Sequence, residues 1–402
     1  MIRQKSLIFQ PAEILLPAGN LRKWSVIACD QFTSDGEYWA EVERFVGETP
    51  SALRLMLPEY YLGRADEAAR MQQIQRTMEQ YLRSDVFCAY PDSLVFLERQ
   101  LSSGKIRRGL IGVIDLEAFD YTDQTDARIR ASEHTVEDRL PPRVKVRQEA
   151  SIEMPHIMLF FEDPDDVLMN QTAAMADEPL YDFDLMGGGG HLRGFRIHGE
   201  NAWHLAERFS GEDGFQFAVG DGNHSLAAAR KCWMELKKQL PASELERHPA
   251  RFALVELVNI HDSGVSFEPI HRMIFQTDVS NWFDSAKEHL CDPNGREIVL
   301  LCGKEQRAIP AKGSTIGETI GLVEQFCKEY CARHGGRIDY IHGDDETRYL
   351  AHSPGCCGML LPQMEKTELF QSVSRYGPFP KKSFSIGLGT DKRYYLECRK
   401  IK

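Results

Sequence analysis

The apolar segments of this sequence are short, and their length limits the fold more than any other feature does. The longest runs, 157–161 and 298–302, have the length of a buried β-strand and are far too short to cross a membrane. Amphipathic segments lie between such runs; in 226–240, apolar residues recur at spacings of three and four, which is typical of a helix with one buried face. The sequence therefore predicts an α/β (mixed α+β) protein, with a β-rich mixed-sheet core and flanking helices.

The pattern of strands and helices restarts near residue 280. We predict a core domain in residues 1–280 and a smaller C-terminal α/β unit, residues 281–402, that packs on the core. Within the core, segments 252–260 and 266–274 are predicted to pair as two strands across a polar turn at 262–264.

Charge and cysteine content restrict the class of protein. The formal net charge of −12 argues against a nucleic-acid-binding protein, which usually carries an excess of basic residues. The ten cysteines are scattered without a metal-binding spacing, so we expect reduced thiols and no metal bound by them. The first apolar run ends at Gln10 and Pro11, too early for the core of a signal peptide. We expect a cytoplasmic protein with neither nucleic acid nor a membrane as partner; its oligomeric state does not follow from the sequence.

The loop Val-Gly-Asp-Gly-Asn-His-Ser at 219–225 is the strongest candidate for a functional site, because it joins a predicted strand to the clearest predicted helix. Gly220 and Gly222 allow a sharp turn and the close approach of a ligand. The N-terminus of the following helix favours a bound phosphate or carboxylate. Asp221 can accept a proton or bind a metal, and His224 can act as an acid or base or donate to a phosphoryl oxygen.

The loop also has a purely structural interpretation, in which Asn223 or Ser225 serves only as a cap of the helix.

A second candidate for ligand binding is the charged segment 127–150. If this segment is helical, Arg139 and Arg143 share one face of the helix and could hold a phosphate or carboxylate in a bidentate manner. The alternative for this segment is a solvated helix face.

The loop and five further elements occur in the same order as the motifs of one protein family. With them the chain resembles, over nearly its whole length, the bacterial and archaeal family called domain of unknown function 1015. The loop departs from the family's Asp-Gly-His-His-Arg motif at Asn223, where the family has its first His, and at Ser225, where it has Arg. The further elements are Asp30 after a predicted strand, Leu-Met-Leu-Pro-Glu at 55–59, Ser-Glu-His-Thr-Val-Glu-Asp-Arg at 132–139, Asp-Ser-Gly at 262–264 with His271 and Arg272, and Pro-Lys-Lys-Ser at 380–383.

The loop is also similar to the helix-entry motifs of ParB-like and sulfiredoxin-like proteins, whose members bind nucleotides and include free-serine kinases. This similarity implies a small-molecule enzyme that handles a phosphate or a nucleotide, and the leading hypothesis is a kinase of a free hydroxyl such as that of serine. The alternatives are a phosphomonoester hydrolase and a non-enzymatic nucleotide-sensing module. The implied cofactors are Mg²⁺ and a nucleotide, ATP or ADP, and the implied partner is a phosphorylated small molecule or a nucleotide.

This hypothesis gives the candidate residues two kinds of role. The catalytic residues would be Asp221, His224 and Asp30, with either aspartate as base or Mg²⁺ ligand. The remaining candidates would bind substrate or phosphate and neutralise developing charge; they are Gly220, Gly222, Asn223, Ser225, Glu133, Arg139, Arg143, His271, Arg272, Lys382 and Ser383.

Overall fold

The computed structural model describes residues 7–27, 35–123, 125–154, 157–211 and 214–402. Strands and helices alternate along these ranges, so the predicted mixed α/β class is confirmed. The strands are β1 (Phe9–Gln10), β2 (Ala12–Pro17), β3 (Phe87–Gln100), β4 (Ile106–Asp115), β5 (Phe119–Asp120), β6 (Ile129–Arg130), β7 (Ile152–Glu153), β8 (Met158–Phe161), β9 (Glu178–Asp184), β10 (His191–His198), β11 (Phe217–Asp221), β12 (Phe252–Asn259), β13 (Phe267–Phe275), β14 (Cys291–Cys302), β15 (Glu305–Ala311), β16 (Arg337–His342), β17 (Cys357–Leu360), β18 (Phe384–Ile386) and β19 (Arg399–Lys400).

The α-helices differ widely in length, from one turn to about five. They are α1 (Leu21–Trp24), α2 (Gly36–Val46), α3 (Glu67–Arg83), α4 (Leu140–Glu149), α5 (Val167–Ala174), α6 (Gly199–Ser210), α7 (Asn223–Leu236), α8 (Trp282–Leu290), α9 (Ile316–His334), α10 (Asp344–Ala351) and α11 (Glu368–Tyr376). In the described part of the chain, no helix is both long enough and apolar enough to cross a membrane.

The larger sheet is mixed and has the strand order β5-β6-β11-β8-β12-β4-β3-β10-β9, with β1 paired to β4 and β2 to β3. β11 runs parallel to β6 and antiparallel to β8, and it delivers the chain into α7. The helix predicted at 226–240 is present as α7, but it begins at Asn223 and ends at Leu236, before the predicted end. Leu226, Ala229 and Trp233 of its apolar stripe are buried against this sheet. The larger sheet therefore fixes where the 219–225 loop begins and ends.

The smaller sheet has the order β15-β14-β17-β13-β16, with β18 paired to β13. The predicted pairing of segments 252–260 and 266–274 is wrong, although both segments are strands. β12 pairs with β4 and β8 in the larger sheet, whereas β13 pairs with β16, β17 and β18. Between them, Asp262 Oδ1 accepts a hydrogen bond of 2.7 Å from the N–H of Gly264, and this turn sends the chain from one sheet to the other.

The two sheets share one hydrophobic cluster, in which Phe160 and Ala218 of the larger sheet pack with Phe267 and Phe384 of the smaller one. After β18 the chain returns to the larger sheet, where Cys398 bridges to Leu15 of β2. Tyr395 bridges to Val26, and β19 pairs with β7 as a separate two-stranded sheet. The chain passes from the larger to the smaller sheet at 260–266 and returns after β18, and neither crossing lies at residue 280. The predicted division into units 1–280 and 281–402 therefore stays a prediction. Segments of both sheets come together beside the loop.

Candidate active site

A cleft of about 400 Å³ lies between the residues of the loop and the returning segment 381–395, and this volume is within the range of small-molecule sites. The loop residues 220–225 line it at the N-terminus of α7. Segment 133–147, which includes most of α4, forms another wall. Apolar side chains contribute a further part of the lining: Trp39, Leu55, Met56, Leu57, Pro58, Leu62 and Met78. The cleft thus combines a polar and an apolar surface.

The two glycines of the loop are required by the backbone and by close packing. Gly222 has φ of +85°, in the left-handed region that favours glycine. A Cβ atom at Gly220 would lie 2.6 Å from a ring carbon of Phe160, and one at Gly222 would lie 3.0 Å from Cγ1 of Ile157. Gly222 is the N-cap of α7 and makes no side-chain cap bond, so the alternative in which Asn223 or Ser225 caps the helix is wrong.

Asn223 and His224 bind the main chain of the neighbouring wall. The N–H of Ser132 donates to Oδ1 of Asn223 over 3.2 Å, and the N–H of Val136 donates to Nε2 of His224 over 3.1 Å. Because Nε2 accepts this bond, the neutral ring of His224 carries its proton on Nδ1. The first turn of α7 therefore holds the main chain before and after Glu133, at Ser132 and Val136.

Glu133 is the carboxylate with the most unusual environment in the cleft. Its Oε1 accepts a hydrogen bond of 2.9 Å from the N–H of Ser383. Burial raises the pKa of Glu133 to about 7, against the opposing effects of the N–H groups of Ser383 and Phe384 and the charges of Lys382 and Lys392. A carboxyl group that titrates near neutral pH can both accept and release a proton, as a general base or acid requires.

Cationic side chains surround this carboxyl group. In a chain with a net charge of −12, their concentration in one cleft favours an anionic ligand. Arg143 Nη1 donates to the main-chain oxygen of Arg139 over 2.9 Å, so that both arginines belong to the same wall. Other arginines of the cleft are in ion pairs, such as Arg147 with Glu153 at 2.6 Å. The lining of the cleft also contains Arg139, Arg143, Lys381, Lys382 and Lys392.

Asp221 is an ion-pair partner in the structure. Its Oδ2 lies 3.1 Å from Nζ of Lys392, and its Oδ1 accepts a hydrogen bond of 2.8 Å from the N–H of Gly222. Within the described ranges, no group of three His, Cys, Asp or Glu side chains could hold a metal ion. Mg²⁺ commonly takes one or two carboxylates together with phosphate oxygens and waters. A Mg²⁺ ion in this cleft would therefore take most of its ligands from a bound phosphate and from water, and Asp221 would be its ligand from the loop.

Most of the predicted site residues line the cleft together: Glu133, Arg139, Arg143, Gly220, Asp221, Gly222, Asn223, His224, Ser225 and Lys382. Asp30 lies outside the described residues. Ser383 is 1% exposed, and its hydroxyl donates to the carbonyl of Pro380 over 2.6 Å. Ser383 thus contributes its N–H group, through Glu133, and its hydroxyl is engaged elsewhere.

The structure does not bring the side chains of His271 and Arg272 to the cleft wall, and both residues are fully buried in β13. Nε2 of His271 lies 2.9 Å from Oδ1 of Asp344. Nε of Arg272 donates to Glu324 over 2.9 Å. The side-chain partners Asp344 and Glu324 belong to helices of the smaller sheet, and Arg272 reaches the cleft only through the main-chain oxygen of Lys382, so direct contact of either side chain with a ligand does not follow from the geometry.

The sequence analysis missed Lys381 and Lys392. Lys392 follows Gly387 and Gly389 in a stretch without helical periodicity, and it reaches Asp221 only because the chain returns to the larger sheet. Lys381 is a neighbour of the predicted Lys382. Lys381 also lies within the Pro-Lys-Lys-Ser element at 380–383, whereas none of the family elements includes Lys392.

The family model described as protein of unknown function (DUF1015) matches residues 10–400. The chain belongs to this family. A comparison of this DUF1015 chain with curated proteins gave no significant match.

Several solved structures are similar to this DUF1015 chain at low sequence identity. SbnI with a C-terminal truncation, from Staphylococcus aureus, is 11% identical, has a TM-score of 0.36, and is matched over 69% of this chain and 82% of its own. A free serine kinase in complex with AMP is 13% identical, with a TM-score of 0.39 and coverages of 70% and 92%. A variant of free serine kinase in complex with ADP is 12% identical, with a TM-score of 0.40 and coverages of 70% and 94%.

Proposed function

We propose that this chain is a small-molecule phosphotransferase, which moves a phosphoryl group from a nucleotide to a free hydroxyl such as that of serine. The observation that carries the proposal is the environment of Glu133: a carboxyl group with a pKa of about 7 in a cleft where Lys382 and Lys392 are close enough to lower that value. A proton acceptor beside fixed cations is what transfer of a phosphoryl group to a hydroxyl requires.

Each group on the cleft wall has a task in this reaction. Glu133 takes the proton of the attacking hydroxyl, while the new O–P bond forms and the bond to the leaving oxygen breaks. Lys382, Arg139 and Arg143 neutralise the charge of the transferring group, and the N-terminus of α7 adds its positive end. A bound nucleotide with Mg²⁺ supplies the phosphoryl group. The chain's own contribution is therefore mainly positioning, electrostatics and one proton acceptor.

The apolar part of the cleft supports a ligand larger than serine alone. Trp39, Leu55 and Met78 line it and are each less than one-tenth exposed, which provides a surface for a flat, weakly polar group such as a nucleobase. The charged wall and the apolar wall together suit a nucleotide, with its phosphates near Glu133.

The test is direct detection of the product. The protein is incubated with Mg²⁺, ATP or ADP, and a panel of hydroxyl compounds that includes serine, and phosphorylated products are identified by mass spectrometry. We expect a phosphorylated hydroxyl compound from the wild type and a loss of at least about a hundredfold in rate for Glu133→Gln, the range of general-base catalysis. The matched control is Glu137→Gln, an exposed acid four residues away that does not line the cleft.

Other outcomes would support the rival functions. Release of inorganic phosphate from phosphomonoesters, without transfer from either nucleotide, would identify a hydrolase. Stabilisation of the protein by ATP or ADP in a thermal melt, with no turnover of any compound, would identify a nucleotide-sensing module. Equal rates for Glu133→Gln and the wild type would overturn the assignment of the proton acceptor.

A further inference from the structure

The two lysines beside Glu133 share a main-chain feature. The carbonyl oxygen of Lys382 accepts a hydrogen bond of 2.9 Å from Nη1 of Arg272, and that of Lys392 accepts one of 2.6 Å from Nη1 of Arg99. Both arginines are buried, with 0% exposure for Arg272 and 2% for Arg99. Each cleft lysine is thus held through its backbone by a guanidinium group that lies behind the cleft wall.

Lys382 has a conformation that needs such support. Its φ is +58°, in the left-handed region, where long side chains are disfavoured. Arg272 is fixed in turn by Glu324, at 2.9 Å from its Nε, and by the ring of Tyr340, whose centroid lies 4.7 Å from its guanidinium carbon. A strained residue persists when its surroundings determine its conformation, and strain of this kind is concentrated at functional sites. The buried ion pair therefore fixes the backbone of a residue that lines the cleft.

Arg99 makes its hydrogen bonds to main-chain oxygens, and its guanidinium carbon lies 5.0 Å from the ring centroid of Tyr394. Its guanidinium donates to the carbonyl oxygens of Gly189 at 3.0 Å, Thr390 at 2.6 Å and Lys392 at 2.6 Å. Among the described residues, none of its hydrogen bonds goes to a carboxylate. Burial of a cation is costly, and among the described residues Nε of Arg99 has no hydrogen-bond partner, so the bonds from its two Nη atoms carry the compensation and constrain residues 390–392. The side chain of Lys392 has its own contact, because its Nζ lies 3.1 Å from Oδ2 of Asp221.

We infer that Arg272 and Arg99 are positioning residues, which fix Lys382 and Lys392 so that their two ammonium groups bind one ligand carrying a diphosphate group. This inference rests on the proposed function, because it assumes that the cleft binds phosphates. Neither arginine lines the cleft, so each acts through its lysine. Lys382 precedes β18 and Lys392 follows it, and a different arginine holds the backbone of each. Two such cations suit a group with two negative charges better than a single carboxylate.

The test is a crossed double-mutant cycle, with pyrophosphate as the probe and its Kd measured by titration calorimetry on the full chain. Arg272→Lys should raise the Kd about tenfold, which corresponds to about 1.4 kcal/mol. It should add nothing in a Lys382→Gly background, where the lysine it positions is absent, and should keep its full effect in a Lys392→Met background. Arg99→Lys should show the reverse dependence on the two backgrounds.

The control is Arg251→Lys, which alters an ion pair of 2.6 Å with Asp115 at a side chain outside the cleft and should leave the Kd unchanged. Equal losses for Arg272→Lys in both lysine backgrounds would overturn the positioning role alone, whereas a wild type that does not bind pyrophosphate would contradict the proposed function as well. If Arg272→Lys does not fold, Glu324→Gln, which weakens the hold on Arg272, replaces it in the same cycle with the same expected dependence.

Discussion

The imidazole of His224 accepts a hydrogen bond of 3.1 Å from the main-chain N–H of Val136, and this bond ties the first turn of α7 to the wall that carries Glu133. The loop at 219–225 therefore has two tasks, since its residues line the cleft and also set the position of the proposed proton acceptor. Substitutions in this loop should therefore change both the rate of turnover and the free energy of unfolding. How much each changes depends on the contacts that the substituted residue makes.

His224→Ala should lower the free energy of unfolding by about 1–2 kcal/mol, because the N–H of Val136 loses its acceptor in a partly buried place. Phosphoryl transfer should fall in parallel, since Glu133 is no longer held on that side. Urea unfolding and the product assay measure the two effects. His224→Gln, which keeps an acceptor, should recover part of both losses, and a His224→Ala protein as stable as the wild type would contradict the role of this bond.

Lys382 allows stability and binding to be separated. Because its φ is +58°, Lys382→Gly should relieve strain and melt at or above the temperature of the wild type, with a gain of up to about 1 kcal/mol. The same change removes a cleft cation, so the Kd for pyrophosphate should rise about tenfold. Lys382→Ala is the matched comparison: it should weaken binding equally without the gain in stability. A Lys382→Gly protein that binds pyrophosphate as the wild type does would exclude this lysine from the site.

The titration of Glu133 predicts opposite pH trends for activity and stability. Burial raises its pKa from 4.5 to about 7, so the folded protein binds a proton more tightly than the unfolded chain. This contribution should make stability fall as pH rises from about 4.5 to about 7, by at most about 3 kcal/mol. Turnover should instead rise through a midpoint near pH 7, because the charged form accepts the proton.

The variant Glu133→Gln isolates this group. Its stability should lack the decline between pH 4.5 and 7, which denaturant unfolding at several pH values would reveal as the difference from the wild type. Lys382 and Lys392 face the same carboxyl group and are present in both proteins, so the difference between the two profiles reports Glu133. An identical pH profile of stability in both proteins would show that Glu133 titrates at an ordinary pKa.

Asp221→Asn should release Lys392 from its ion pair and remove one negative charge from the cleft. We expect pyrophosphate to bind about three- to tenfold more tightly in the absence of Mg²⁺, with a smaller further gain when Mg²⁺ is added, because the carboxylate that would contact the metal is missing. Calorimetry with and without Mg²⁺ measures both. Asp123→Asn, at an exposed position outside the cleft, is the control. Weaker Mg²⁺-free binding would show that Asp221 supports the anion by another route.

The parts of the molecule that local sequence patterns determine could be predicted. Helix α7 follows from the spacing of Leu226, Ala229 and Trp233, and the loop follows from its two glycines, because steric and packing rules act within a few residues. The strands β12 and β13 were also predictable as strands. Their partners were not, since alternation of apolar residues does not specify which strand lies alongside.

The parts that depend on distant segments could not be predicted from local patterns. The resemblance of segment 132–139 to a family motif singled out Glu133, but not its burial or its hydrogen bond with the N–H of Ser383, 250 residues away. Lys392 and Arg99 are joined across a similar distance. A buried arginine that serves a backbone carbonyl has no sequence signature, because its partner is common to every residue.

The return of residues 381–395 to the larger sheet has a consequence for biosynthesis. Strands β1 to β12 end at Asn259, so the larger sheet can pair while the later part of the chain is still on the ribosome. Residues 381–395 emerge more than a hundred residues later and complete the cleft. A nascent chain can therefore form this sheet before the cleft is complete, and a ligand that contacts both walls of the cleft can stabilise only the finished molecule.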